Sequence, residues 1–212
     1  MSGERGVGAT PGGVDVVILG GGVCGLLLRA VLWKAGYSTV LVSKGPLGAG
    51  QTIGSQGILH AGLKYAADGV SREISGTLAE SRGWWRGALT AGDGIDLRRV
   101  RVLAERTHFW TPGGAIDRLV GTAAAAVMKA GARRLERGEF PAVFRPGNDA
   151  VAVWEVEEEA VDAASLISVL RDAPGGEIVA VESEPSVETD AAGVRLAGVG
   201  ERRIVARHAV LA

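Results

Sequence analysis

An α/β fold built on a parallel sheet is predicted by three features of the chain. Val14 to Leu19 is a continuous aliphatic run, the pattern of a strand buried on both faces. A glycine turn and an apolar-periodic helix follow it, with Leu26 to Ala35 at helical spacing and Gly36 as the stop. A second aliphatic strand, "STVLV" (38–42), closes the unit. Strand, helix and strand in this order form a βαβ unit, whose crossover is expected to be right-handed.

The remaining elements follow from the same reading. "MSGERGVGATPGG" (1–13) is small and polar with no apolar stretch, so a flexible terminus is expected there rather than a secretion signal. The glycine-rich segment from Gly45 to Gly62 lacks periodicity and is long for a plain connector, which marks it as functional. Ser71 to Leu89 carries Ile74, Leu78, Trp84, Trp85 and Leu89 at the spacing of an amphipathic helix. "RRVRVLAERTHFW" (98–110) reads as a strand pair or a strand and its turn. An alanine-rich helix with basic residues near its end is predicted over Ile116 to Glu136. "AVAVWEVEEEAVD" (150–162) is strand-like, and "AASLISVLRD" (163–172) is a short helix followed by Gly175 and Gly176. Three strands, "EIVAVES", "GVRLAG" and "RRIVARHAVLA", end the chain. The parallel-sheet domain is therefore expected over 14–80 and 160–212, with 81–159 inserted as a partial α+β region.

Composition narrows the partners. With 212 residues and 47% hydrophobic content, one substantial core is affordable to a soluble globular chain. Twenty-three basic against 24 acidic residues, with no basic run, gives no footprint for nucleic acid, so a small molecule is the expected partner. Cys24 is the only cysteine, which excludes an intrachain disulfide and a cysteine metal site and fits a reducing, cytoplasmic setting. His60, His108 and His208 are far apart in sequence, so no histidine metal site is expected. The longest apolar run contains three glycines and meets Arg29 and Lys34, short of the ~20 residues that span a bilayer.

"GGGVCG" places Gly20, Gly22 and Gly25 in GxGxxG spacing. The first glycine permits the tight turn, the second lets backbone approach a pyrophosphate, and the third allows close helix–strand packing. The pyrophosphate would rest on the unpaired N–H groups of the helix N-terminus. In a chain with 33 glycines, chance alone yields roughly 0.8 such matches, so the spacing decides nothing by itself. Its place between a buried strand and an amphipathic helix makes it a dinucleotide signal. Cys24 reads as a small apolar filler of that turn. The second strand ends on Ser43 and Lys44, where an acidic residue usually accepts hydrogen bonds from the ribose. Serine has shorter reach and no charge, which predicts an adenosine grip weaker by about 1–2 kcal/mol. Ser43 with Lys44 also reads, alternatively, as a 2′-phosphate site for NADP.

The segment "QTIGSQGILHAGLKY" (51–65) after this βαβ unit resembles the D-amino-acid oxidase-like superfamily of FAD-dependent oxidoreductases. Within it, the pattern is most similar to the L-2-hydroxyglutarate oxidase and glycerol-3-phosphate dehydrogenase branches. The resemblance is specific over 14–65 and diffuse over 66–212. It implies an FAD-type Rossmann-like domain and FAD as cofactor. Gly20, Gly22, Val23, Cys24 and Gly25 would then cradle the pyrophosphate. Gln51 and Thr52 would lie near the pyrophosphate and ribitol, and Ser55, Gln56, Gly57 and Ile58 beside the isoalloxazine ring. His60 would be catalytic or touch the flavin, and Lys64 and Tyr65 would meet the anionic end of the substrate. Ser43 and Lys44 take the ribose position, and the backbone near Glu184 contacts adenine.

The implied chemistry is oxidation of a CH–OH or CH–NH substrate, a small anionic hydroxy acid above all, with oxygen, a quinone or another electron acceptor. The family pattern continues past the equivalent of Ala212. The alternatives are therefore a partner chain completing the fold or a nucleotide-binding member without turnover.

Overall fold

The computed structural model describes residues 13–59, 72–92, 94–111, 132–144, 152–191, 193–200 and 202–212, with the backbone alone at 72–79 and 111. The chain divides into two compact units: residues 1–55, 94–100 and 163–212 form the first, and residues 56–93 and 101–162 the second.

The first unit holds a sheet and helices of the α/β class that the sequence predicts. β1 (Val14–Leu19), α1 (Val23–Lys34) and β2 (Thr39–Lys44) open it, and β1 and β2 pair in parallel from Val16↔Thr39 to Leu19↔Val42. Its sheet has six strands in the order β8-β2-β1-β11-β10-β9 among the described residues. β8 (Glu177–Val181) adds in parallel to β2, and β11 (Arg202–Leu211) adds in parallel to the other side of β1. β9 (Ser186–Asp190) and β10 (Gly193–Val199) continue antiparallel from β11. β1 thus lies where the strand order reverses, and a crevice opens beyond the carboxyl ends of the strands at such a point.

The two faces of the sheet are covered differently. Val17 and Val42 cluster with Val194, Leu196, Val199, Ile204 and Ala206 of β10 and β11, because the first half of β11 pairs β10 while its second half pairs β1. Ile18 lies against α1, whose buried face is Gly25, Leu26, Arg29 and Ala30, a repeat of one helical turn. The helix α4 (Ala163–Asp172) buries Leu166, Ile167 and Leu170 and packs beside α1.

Arg29 is charged yet only 4% exposed, and burial lowers its pKa from the ordinary value. Its guanidinium donates to the carbonyls of Arg171, Ala173 and Gly176, so a cation occupies the negative C-terminal end of α4.

Asp15 latches the turn before β2. Its carboxylate accepts from the Ser38 hydroxyl at 2.6 Å and the Ser38 N–H at 2.9 Å, which holds its pKa below the ordinary value, with Arg207 assisting. A carboxyl whose folded pKa lies below its unfolded value of about 3.9 stabilises above that pH and loses the contribution as pH falls through the folded value. Urea unfolding across the acid range should show the Asp15→Asn variant losing less stability than the parent below about pH 4.

The second unit contains the long helix α3 (Arg72–Thr90) and short strands. β4 (Thr107–Thr111), β6 (Ala152–Val156) and β5 (Ala132–Arg134) form an antiparallel sheet with β6 in the middle. Phe109 stacks on Trp154 at 5.9 Å on one face, and Val153 packs with Leu135 and Phe140 on the other. Glu155 lies across from His108 and Arg133 and pairs with Arg106 and Arg133; burial pushes its pKa up, but these guanidinium groups bring it down overall.

β3 (Val102–Ala104) and β7 (Ala160–Val161) form a separate antiparallel pair. The strand pair read over 98–110 is thus two strands with different partners. The helix predicted over 116–136 is corrected at its end, where Ala132–Arg134 is strand β5 and Arg137–Glu139 a 3-10 turn. Pairing with β6, Ala132↔Val156 and Arg133↔Glu155, overrides the helix preference of alanine and arginine there. The rest of that helix lies outside the described residues.

Candidate cofactor-binding site

β1 ends at Leu19, and the three glycines turn the chain into α1 beside the carboxyl ends of β2 and β11. Gly20 has φ +130°, a conformation that L side chains rarely adopt, and a Cβ there would lie 1.9 Å from the Ala212 carbonyl oxygen. Its N–H donates to the Val42 carbonyl at 2.9 Å, while the Ala212 N–H donates to the Leu19 carbonyl at 2.9 Å. At Gly25 a Cβ would meet the Gly20 carbonyl oxygen at 2.0 Å, so the first turn of α1 rides on the glycine turn.

Gly22 is different. It is the N-cap of α1, with φ −79° and ψ −176°, and a Cβ there would meet only Thr52 Oγ1, at 3.3 Å. No Gly22 side chain caps the helix and no acid stands in its first turn. Val23 directs its N–H to Thr52 Oγ1 at 3.2 Å, and the Gly48 N–H donates to the Gly21 carbonyl at 2.8 Å. These bonds tie the glycine-rich segment after β2 to the glycine turn.

Gln51 and Thr52 belong to a one-turn helix, α2 (Gln51–Gly54), within the segment read as irregular. Ser55 donates from its hydroxyl to the Thr52 carbonyl at 2.8 Å. Cys24 is exposed on the first turn of α1, so the reading of it as an apolar filler is corrected. The packing against the sheet falls instead to Gly25 and Leu26, one and two residues further round the helix.

Ser43 is buried, at 3% exposure, under the glycine turn. A Cβ on Gly21 would lie 2.1 Å from Ser43 Oγ, and that hydroxyl donates to the Gly45 carbonyl at 3.3 Å. Lys44 is exposed, with its ammonium 3.8 Å from the Glu184 carboxylate. The structure therefore brings Lys44 and Glu184 together across 140 residues of sequence.

Gln56, Gly57 and Ile58 begin the second unit, where Ile58 bridges Ala160 and the Val161 N–H donates to the Gly57 carbonyl. Glu159, beside this bridge, is a buried carboxylate paired with Arg86 at 2.8 Å. His60, Lys64 and Tyr65 lie outside the described residues. Sequence reading missed Gly21 and Gly48; the triple glycine and the GPLGAG spacing were the available signals.

These features suit a dinucleotide's pyrophosphate. A doubly anionic group needs N–H donors, space and no carboxylate in front of it, and the recess at Gly22 supplies all three. A side chain larger than hydrogen at Gly22 would fill that recess.

The DAO family model, described as FAD dependent oxidoreductase, matches residues 15–212. A probable FAD-dependent oxidoreductase of Pseudomonas aeruginosa, PA4991, is 36% identical over 200 residues, covering 93% of this chain and 50% of the relative. The crystal structure of PA4991 superposes with a TM-score of 0.67 at 29% identity, over 94% of this chain and 47% of that one. Glycine oxidase from Geobacillus kaustophilus shares the fold, with a TM-score of 0.75 at 20% identity over 94% of this chain and 55% of that one. The chain thus spans about half the length of the relatives it matches. With the family pattern running from the first strand to the last residue, the chain belongs to the DAO family of FAD dependent oxidoreductases.

Proposed function

We propose that this chain holds FAD along its glycine turn and oxidises a small anionic substrate at a carbon bearing a hydroxyl or an amine. The observation that supports it is the N-terminus of α1 at Gly22, which has no N-cap side chain and no acid in its first turn, and whose first N–H meets the neutral hydroxyl of Thr52. The glycines and the N–H groups of Val23 to Gly25 would receive the pyrophosphate, with Gln51 and Thr52 toward the ribitol. Ser55, Gln56, Gly57 and Ile58 are assigned to the isoalloxazine end, His60 to flavin contact or catalysis, and Lys64 and Tyr65 to the substrate's anionic group. Bound FAD would supply the redox chemistry by accepting the substrate's hydride equivalent. The chain's part is orientation and charge.

The likeness to hydroxyglutarate oxidases and glycerol-phosphate dehydrogenases rests on residues 51–65 alone, and the relatives named above bear other names. Both hydroxy acids and amino acids therefore belong in the test. The purified protein should show the visible bands of bound oxidised flavin, and anaerobic addition of one of these classes should remove them. A colourless protein that gains no thermal stability from added FAD would overturn the reading.

A further inference from the structure

We propose that Glu184 is the acid that accepts hydrogen bonds from the adenosine ribose of the cofactor, replacing the residue at the end of β2. The inference rests on the FAD reading and specifies one end of it. In dinucleotide-binding units an acid following the second strand takes the ribose hydroxyls. Here that position is Ser43, whose side chain is buried against Gly21 and directs its hydroxyl to the Gly45 carbonyl. It offers no carboxylate, and the backbone of Gly21 lies over it.

A carboxylate nevertheless reaches the same edge of the sheet from another strand. β8 runs parallel to β2 with Ser43↔Ala180 and Lys44↔Val181 in register, and the Gly45 N–H donates to the Val181 carbonyl. The carboxyl ends of both strands therefore emerge side by side. From there the chain continues through Glu182 and Ser183, and Glu184 brings its carboxylate to 3.8 Å from the ammonium of Lys44, the residue next to Ser43.

Both side chains are largely exposed, at 57% for Lys44 and 85% for Glu184. An exposed pair of this kind contributes little to stability and leaves both groups accessible to a ligand. Lys44 steers the carboxylate, and the oxygen not facing the ammonium is open to ribose hydroxyl donors. The same carboxylate opposes a 2′-phosphate, which sets the site for an unphosphorylated ribose and against the NADP alternative.

The test is calorimetric titration with ADP, which carries the adenosine end of FAD, and with 2′-deoxy-ADP. The parent should bind ADP about tenfold more tightly than the deoxy form, the scale of one hydrogen bond to a charged group. In Glu184→Ala, which removes an exposed side chain and leaves the fold intact, that ratio should fall to about one. A ratio near one in the parent, or a tenfold ratio that survives in Glu184→Ala, overturns the inference while FAD binding stands. Failure of the parent to bind ADP and FAD alike overturns the cofactor reading and the inference with it.

Discussion

Gly22→Asp should abolish flavin retention while the melting temperature of the cofactor-free protein stays constant or rises slightly. Its backbone, φ −79° and ψ −176°, is open to any residue, and a Cβ would meet only Thr52 Oγ1 at 3.3 Å. Aspartate is also a better N-cap than glycine by a few tenths of a kcal/mol, since its oxygen accepts from the first-turn N–H groups. Those are the groups a pyrophosphate would use. The new carboxylate would both occupy them and repel the phosphates, weakening FAD binding at least about 100-fold, or roughly 3 kcal/mol. Fluorescence titration with FAD, alongside thermal melts without it, reads the two effects separately. Undiminished affinity would mean that the cofactor does not approach this helix end.

Gly25→Ala should cost about 3 kcal/mol of stability, although alanine is the better helix former by about 1 kcal/mol. The added methyl would stand 2.0 Å from the Gly20 carbonyl oxygen and 3.4 Å from Ile18 Cγ2. Both belong to β1 or the turn after it, so α1 must lift from the sheet to admit it. Gly83→Ala is the matched control: Gly83 is an exposed position inside α3 with nothing within 4 Å of the added Cβ. There propensity acts alone, and a gain of about 0.5–1 kcal/mol is expected. Urea unfolding of the two variants should therefore shift in opposite directions. A gain in both would mean that the helix is not seated on the turn as described.

Legibility followed the range of the interactions. The βαβ opening was readable because each of its elements carries its own local pattern: β1 is apolar throughout, α1 buries residues one turn apart, and the glycines stand at fixed offsets. The short helix over 163–172 was readable for the same reason. β9 was not, since Ser186–Asp190 is exposed along its whole length and exists as a strand only through pairing with β10. β5 was misread because alanine and arginine favour a helix, and only its partner β6 makes Ala132–Arg134 extended.

The candidate site divides along the same line. The spacing of the glycines together with the strand before them and the helix after them showed where the chain turns, because these features lie within a few residues of one another. Sequence also showed that Ser43 departs from the acid expected there. Tertiary structure decided the rest: that Ser43 is covered by Gly21, that Thr52 accepts from the first N–H of α1, and that Glu184 stands beside Lys44. The physical reason is strand pairing. β8 hydrogen-bonds to β2 across more than 130 residues, and no local preference of either segment records which strand the other will choose.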